Sequence, residues 1–316
     1  MTMPTNNGFN FQGLTRASAL GRIVALVLMN WPEHTKFMTT SLSIRSAPVL
    51  AHGEDVAVMI ERLGDGHMDD LYGGYRWMCD MVREEDLYFR RNHKYRLSTF
   101  DEANEAVYSN KVVMDQYMKG LLLSQVLWSN HALILNFFIE KFLGRAPRGG
   151  KLLEVGPGHG LLLALAAEYA DCAELTGWDV SAVSLEHTAA CLKVLEVATP
   201  TRLETHNVLD GSPLSGRFDS IILSEVCEHL EQPLTALRAL RRIIVPGGRI
   251  FVNMPINAPA TDHIYLLTTP EEVIEMVRAA DFDIEDTCFA PASGYSEADA
   301  RKRKIPISVG IIGRAA

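Results

Sequence analysis

Nine residues constrain this chain more than any others: Leu152-Leu-Glu-Val-Gly-Pro-Gly-His-Gly160, an apolar strand that turns through three glycines into a helix beginning at Leu161. Glycine tolerates the positive φ that such a turn demands and lets backbone approach a ligand with no side chain in the way. The helix that follows offers free N–H groups at its start. A nucleotide-like ligand at the end of a parallel strand is therefore expected here. The dinucleotide fingerprint G-x-G-x-x-G requires glycine at 161, where Leu161 stands, so a nicotinamide dinucleotide is disfavoured.

From Lys151 onward, short apolar strands at 152–155, 174–178, 220–223 and 249–253 alternate with helical stretches, and 307–312 reads as a last strand. Such alternation implies a parallel sheet covered by helices on both faces. One helix start is well marked: Thr269 with Glu272 three positions on forms a capping box, and Pro270 takes the first helical position. A glycine-rich break at 144–150 divides the chain into a mainly helical part, 1–146, and an α/β part, 147–316, as suits 316 residues that are 47% hydrophobic and 22% charged. In the first part, 111–143 reads as one long buried helix ended by Gly144 and Pro147, and 70–85 as another helix. Residues 86–98, two aromatic-flanked runs around Arg-Asn-His-Lys, read as a hairpin.

The spacing of Glu154, Gly156, Gly158 and Gly160 resembles the first motif of class I S-adenosylmethionine-dependent methyltransferases of small molecules, and further motifs follow in that family's order over 149–316. The resemblance implies a Rossmann-like fold with a mostly parallel seven-stranded sheet and S-adenosylmethionine as methyl donor. It implies that Asp179, which Val180 follows, holds the ribose hydroxyls, a task suited to a carboxylate that accepts two hydrogen bonds at once. It also assigns the Asn207-Val-Leu-Asp210 segment to the adenine, and matches 218–230, with Ser224, to the fourth strand and its loop. More loosely, 50–143 is similar to the winged-helix dimerisation domain of small-molecule O-methyltransferases, which implies a homodimer and a pocket wall containing Tyr117, Trp128 and His131.

Ligands of open parallel sheets lie beyond the carboxyl ends of the strands, so the acceptor should meet the segments after the fourth and fifth strands. These contain Glu225, Glu228, His229, Asn253, Asp262, His263 and Tyr265. Glu225 and Glu228 share a face if their loop winds into a helical turn, and would hold an ammonium group or favour the sulfonium; the second acid and His229 equally suit a structural role. His229 or His263 could serve as general base for a hydroxyl. The overall layout is similar to bacterial methionine S-methyltransferases, implying the thioether of L-methionine as acceptor, with no base required. The alternatives are O- or C-methylation of a small acid through one of those histidines, or a winged-helix regulator that senses S-adenosylmethionine through DNA contacts of Arg90 and Arg91.

The net charge of −9 matches a phosphate backbone poorly, so a nucleic-acid partner is not expected. Five scattered cysteines without a CxxC pair fit a reducing cytoplasm and suggest neither disulfides nor a metal site. The apolar run 19–29 is too short to span a bilayer and is read as a buried helix, so no membrane partner is expected.

Overall fold

A computed structural model describes residues 9–210 and 216–316. After a small hairpin of Asn10–Phe11 and Leu14–Thr15 come α1 (Ala19–Asn30), α2 (Thr35–Ser43), α3 (Ala47–Leu63), α4 (Met68–Asn92), the short α5 (Phe100–Ala103), α6 (Lys111–Leu127) and α7 (Ser129–Phe137). The sheet then builds from β1 (Gly150–Val155), β2 (Cys172–Asp179), β3 (Thr201–Thr205), β4 (Phe218–Ser224), β5 (Ile244–Ile256), β6 (Phe282–Pro291) and β7 (Ile307–Ala315). Its order is β3-β2-β1-β4-β5-β7-β6, and β7 alone among these strands runs against its neighbours. The connections carry α8 (Leu161–Tyr169), α9 (Ala182–Val194), α10 (Pro233–Arg241), α11 (Pro270–Ala279) and α12 (Glu297–Arg303). The seven-stranded, mostly parallel sheet expected from the sequence is present.

Period-two alternation explains why the sheet is covered on both faces. Leu152, Ile222 and Phe251 point into one apolar cluster, shared with α1, α3, α4, α6 and α7. Their neighbours Leu153, Ile221, Leu223, Ile250 and Val252 point into the other, closed by α10 and α11. The helices before the sheet thus share its core.

Two local expectations are corrected. Residues 86–98 do not form a hairpin: α4 continues to Asn92, and His93 ends it in the left-handed conformation. Helical spacing outweighs the aromatic alternation, since Leu71, Tyr75, Met78, Glu85 and Phe89 all turn inward. Arg90 pairs with Asp86 at 2.6 Å and Arg96 with Glu85 at 2.9 Å, so no wing presents these cations and the winged-helix likeness fails. The long helix over 111–143 is also broken. It bends by 78° at Trp128, whose backbone is extended. The buried carbonyls freed at the break are satisfied by Ser41 Oγ on Leu127 at 2.6 Å and by the buried Arg45 on Val126 at 2.7 Å. No single helix among the described residues is long and apolar enough to cross a membrane; this bent pair passes by length and composition only, and its inner face lies in the core. The Thr269 cap forms as expected, its hydroxyl accepting from the Glu272 N–H, while the Glu272 carboxylate turns to Thr268 instead.

Candidate active site

A cavity of about 470 Å³ opens at the carboxyl ends of β1, β2, β4 and β5 and is walled on the far side by α6 and α7. The glycine turn forms its floor. Gly156, Gly158 and Gly160 have φ of +70°, +53° and +80°, a region side-chain-bearing residues rarely adopt. At Gly156 a Cβ would also come within 2.7 Å of the Val226 side chain. Gly160 does not line the cavity; a Cβ there would meet Cys191 at 3.0 Å and the Thr188 backbone at 3.1 Å, so this glycine permits α8 to pack on α9.

Asp179 stands at the end of β2 facing the cavity, its carboxylate accepting from the Ser181 N–H at 2.8 Å and from the Ser184 hydroxyl. Burial raises its pKa and these donors oppose the rise. Val180 lies beside it, 44% exposed. Beyond it the His206 ring lies tilted against Trp178, centroids 4.4 Å apart, and leaves Nε2 buried without a hydrogen-bond partner at the cavity wall, next to Asn207 and Val208. This is the end available to a purine edge. Asn207 accepts from the Leu209 N–H and so shapes the turn, while Asp210 is exposed and outside the lining, which corrects its assignment to the adenine. Glu154 is 2% exposed under the turn; burial and then the charge of Asp179 raise its pKa, and one of its oxygens has no partner. These residues fit an adenosyl ligand.

The opposite end is built by the loops after β4 and β5. Glu225 takes a left-handed backbone at φ +53°, pinned by Asn253: its N–H donates to the Asn253 carbonyl at 2.9 Å, and Asn253 Nδ2 donates to its carboxylate at 2.7 Å and to Ser224 Oγ at 3.2 Å. Burial lifts the Glu225 pKa to about 7. Glu228 is 1% exposed, does not line the cavity, and holds the following loop through its carbonyl, which accepts from the Ile264 and Tyr265 N–H groups. Burial, then the Glu225 charge, raises its pKa. This corrects the expectation that Glu228 grips an acceptor ammonium.

His229 faces the cavity. Its Nδ1 lies 3.0 Å from the Asp262 carbonyl, an acceptor only, so Nδ1 carries the proton and Nε2 is left with a free lone pair. His263 Nδ1 likewise donates to the Ala258 carbonyl at 2.6 Å, and burial lowers its pKa to about 4. Asp262 is held by two hydroxyls from the helical part, Tyr108 and Tyr117, each at 3.2 Å. Sequence spacing suggests no metal site, yet among the described residues ligand atoms of Glu228, His229 and His263 lie within 4.8 Å of one another, and both Glu228 oxygens are buried and unpartnered.

Of the remaining sequence candidates, Tyr117, His131, Asn253, Asp262 and Ser224 line the cavity. Trp128 and Tyr265 do not: Trp128 donates to the Tyr75 hydroxyl at 3.1 Å, and Tyr265 packs against the second core cluster. Sequence reasoning missed Phe100 and Tyr108, which stack on each other with Tyr108 edge-on to His229, together with Asp101, Gln125, His159 and His206. The one signal for Gln125 and His159 was polarity inside otherwise apolar or glycine-rich runs.

A family model described as a methyltransferase domain matches residues 128–286, half of the chain. The mitochondrial ubiquinone biosynthesis O-methyltransferase of Schizosaccharomyces pombe is 30% identical over 199 residues, 62% of this chain and 69% of that protein. The ubiquinone biosynthesis O-methyltransferase of Vibrio parahaemolyticus is 29% identical over 152 residues, covering 48% and 62%. A solved N-methyltransferase from Bradyrhizobium japonicum in complex with S-adenosylhomocysteine superposes with a TM-score of 0.44 at 19% identity, over 56% of this chain and 83% of that one.

Proposed function

The chain belongs to the methyltransferase-domain family, and from that premise we propose that this S-adenosylmethionine-dependent enzyme methylates a hydroxyl group on a small acceptor that carries no negative charge. One observation carries the acceptor class. Six carboxylate side chains, Asp101, Glu154, Asp179, Glu225, Glu231 and Asp262, line the cavity, and no Lys or Arg does among the described residues. At the acceptor end, beside Glu225 and Asp262, an acceptor carboxylate or phosphate would meet neither a cation nor the donors that serve the cofactor, and burying an unpaired charge there is costly. This weighs against L-methionine and against small acids as acceptors. The relatives' names, O-methyltransferases of ubiquinone biosynthesis, support an oxygen acceptor.

The bound cofactor supplies an electrophilic methyl group on a sulfonium. The chain aligns the acceptor with it and keeps water out, the aromatic pair Phe100 and Tyr108 covering the cavity above His229. His229 Nε2 takes the hydroxyl proton as the oxygen–methyl bond forms, and the Asp262 carbonyl holds the ring in the required tautomer. Tyr108 and Tyr117 position Asp262 and thereby the base.

Labelled S-adenosylmethionine offered with neutral phenols and alcohols, amines, carboxylic acids and methionine tests this. Label on a neutral hydroxyl is expected; label on methionine sulfur or on an amine alone refutes it. The cluster of Glu228, His229 and His263 favours a second reading, in which a divalent cation lowers the acceptor's pKa and His229 is a ligand. Chelation separates the two: turnover unchanged by EDTA keeps His229 as base, and turnover lost and restored by a divalent cation replaces it.

A further inference from the structure

The family premise requires a site for the amino-acid end of S-adenosylmethionine, a zwitterion, in a cavity without Lys or Arg among its described lining residues. Its α-carboxylate must therefore be met by neutral donors. Among the histidines that line the cavity, His159 in the glycine turn and His131 on α7 lie close enough that a charge on the first would disfavour protonation of the second. We propose that His159 and His131 bind the two ends of that zwitterion with opposite hydrogen-bond polarity, His159 donating to the α-carboxylate and His131 accepting from the α-ammonium. This rests on the cofactor alone and holds whichever acceptor atom is methylated.

The polarity follows from the other nitrogen of each ring. His159 Nδ1 accepts from the Leu161 N–H at 3.2 Å at the start of α8, so its proton resides on Nε2, which is left to donate. Ser124 Oγ donates its single proton to the Leu121 carbonyl at 2.7 Å and lies 2.9 Å from His131 Nδ1. Nδ1 of His131 must then carry the proton, leaving Nε2 as an acceptor. Burial lowers both pKa values to about 4, which keeps the rings neutral and the two polarities fixed at physiological pH. Among the described residues neither Nε2 has a hydrogen bond that would consume it. α6 and α7 are placed to serve this end: a Cβ on Gly158 would stand 3.6 Å from Met118 Sδ of α6, and Gln125 of the same helix also faces the cavity. The helical part before the sheet is thus a component of the donor site as well as its cover.

Calorimetric titration separates this role from a packing role. S-adenosylhomocysteine carries the amino-acid end, and 5′-methylthioadenosine is the same nucleoside thioether without it. His159→Phe and His131→Leu are expected to weaken S-adenosylhomocysteine at least tenfold and to leave 5′-methylthioadenosine within about twofold. His159→Gln and His131→Gln, which restore a donor or an acceptor at similar reach, should recover most of the loss. Equal weakening of both ligands, or no weakening of S-adenosylhomocysteine, overturns the proposal. Should the apolar variants fail to fold, the unmodified chain decides: decarboxylated S-adenosylmethionine must bind at least tenfold more weakly than S-adenosylmethionine, and equal binding overturns the role of His159.

Discussion

Replacing Glu225 by Gln should make the protein more stable and less active, with the stability gain confined to neutral and alkaline pH. Glu225 is an acid whose folded-state pKa is lifted from 4.5 to about 7, chiefly by burial. A raised carboxyl favours folding only while it is protonated. Below the unfolded value both states hold the proton and nothing is lost; as pH rises toward 7 the unfolded chain releases its proton first and stability falls. At about 1.4 kcal/mol per unit, the full loss at pH 8 is about 3 kcal/mol. Gln removes the titration and keeps an oxygen to accept from Asn253 Nδ2, so the local hydrogen bond at 2.7 Å survives. The strained backbone at φ +53° is unchanged by the swap and cancels. With unfolding entropy of about 2 cal/mol/K per residue, a chain of 316 residues converts the gain to a rise in Tm of about 4 °C at pH 8, shrinking to about 1 °C at pH 5. Calorimetric or fluorescence melts of both proteins at the two pH values provide the measurement. A difference independent of pH, or none at pH 8, would mean that Glu225 is not held as a desolvated acid, and the account of the cavity as an acidic chamber would lose its best-defined member.

Three other outcomes are expected. His229→Asn should lower kcat by about 10²- to 10⁴-fold with S-adenosylhomocysteine affinity unchanged; a kcat within about threefold of the parent's excludes His229 as the base. Gly156→Ala combines a positive φ with a 2.7 Å approach to Val226, and should destabilise the protein by about 2–4 kcal/mol and weaken cofactor binding; a protein as stable as the parent in urea would show that the turn relaxes freely. His34, His131, His159 and His263 are each lowered to about 4, all mainly by burial, so stability should fall as pH drops from 6.5 toward 4, where the unfolded chain binds protons that the folded one resists. A flat urea midpoint across that range contradicts their burial as neutral rings.

What was legible in the sequence tracks how local the determining physics is. The glycine turn, Asp179 at the end of β2 and the Thr269 cap are each specified within a few residues, and each stands where expected. The central strands were visible because both of their faces are buried. The two edge strands were not: Thr201–Thr205 is largely exposed, and Phe282–Pro291 buries only its first residue and Ala290 fully, so neither carries an apolar run or a clean alternation. The false hairpin arose because Leu87, Tyr88 and Phe89 mimic a strand, while the residues that settle the question, Glu85 and Phe89 on the inner face of α4, acquire meaning only from the helices they pack against.

The acceptor end of the cavity is legible in neither way, because no single segment makes it. Asp262 belongs to the loop after β5, is held by hydroxyls from Tyr108 and Tyr117, and through its carbonyl sets the tautomer of His229 after β4. Two of those four residues lie before residue 128, where the family match begins. The matched region holds the glycine turn and Asp179, while part of the wall around His229 comes from helices that precede it. Charge survives this division, because carboxylates from both regions converge on one cavity and no cation among its described lining answers them. A substitution that brings a cation into that lining at the acceptor end, such as Asp101→Arg beside Phe100, should therefore admit anionic acceptors that the parent rejects, read as a change in the ratio of kcat/KM for a carboxylated and a neutral phenol. An unchanged ratio, with S-adenosylhomocysteine still bound, would show that the field of the cavity does not choose the acceptor.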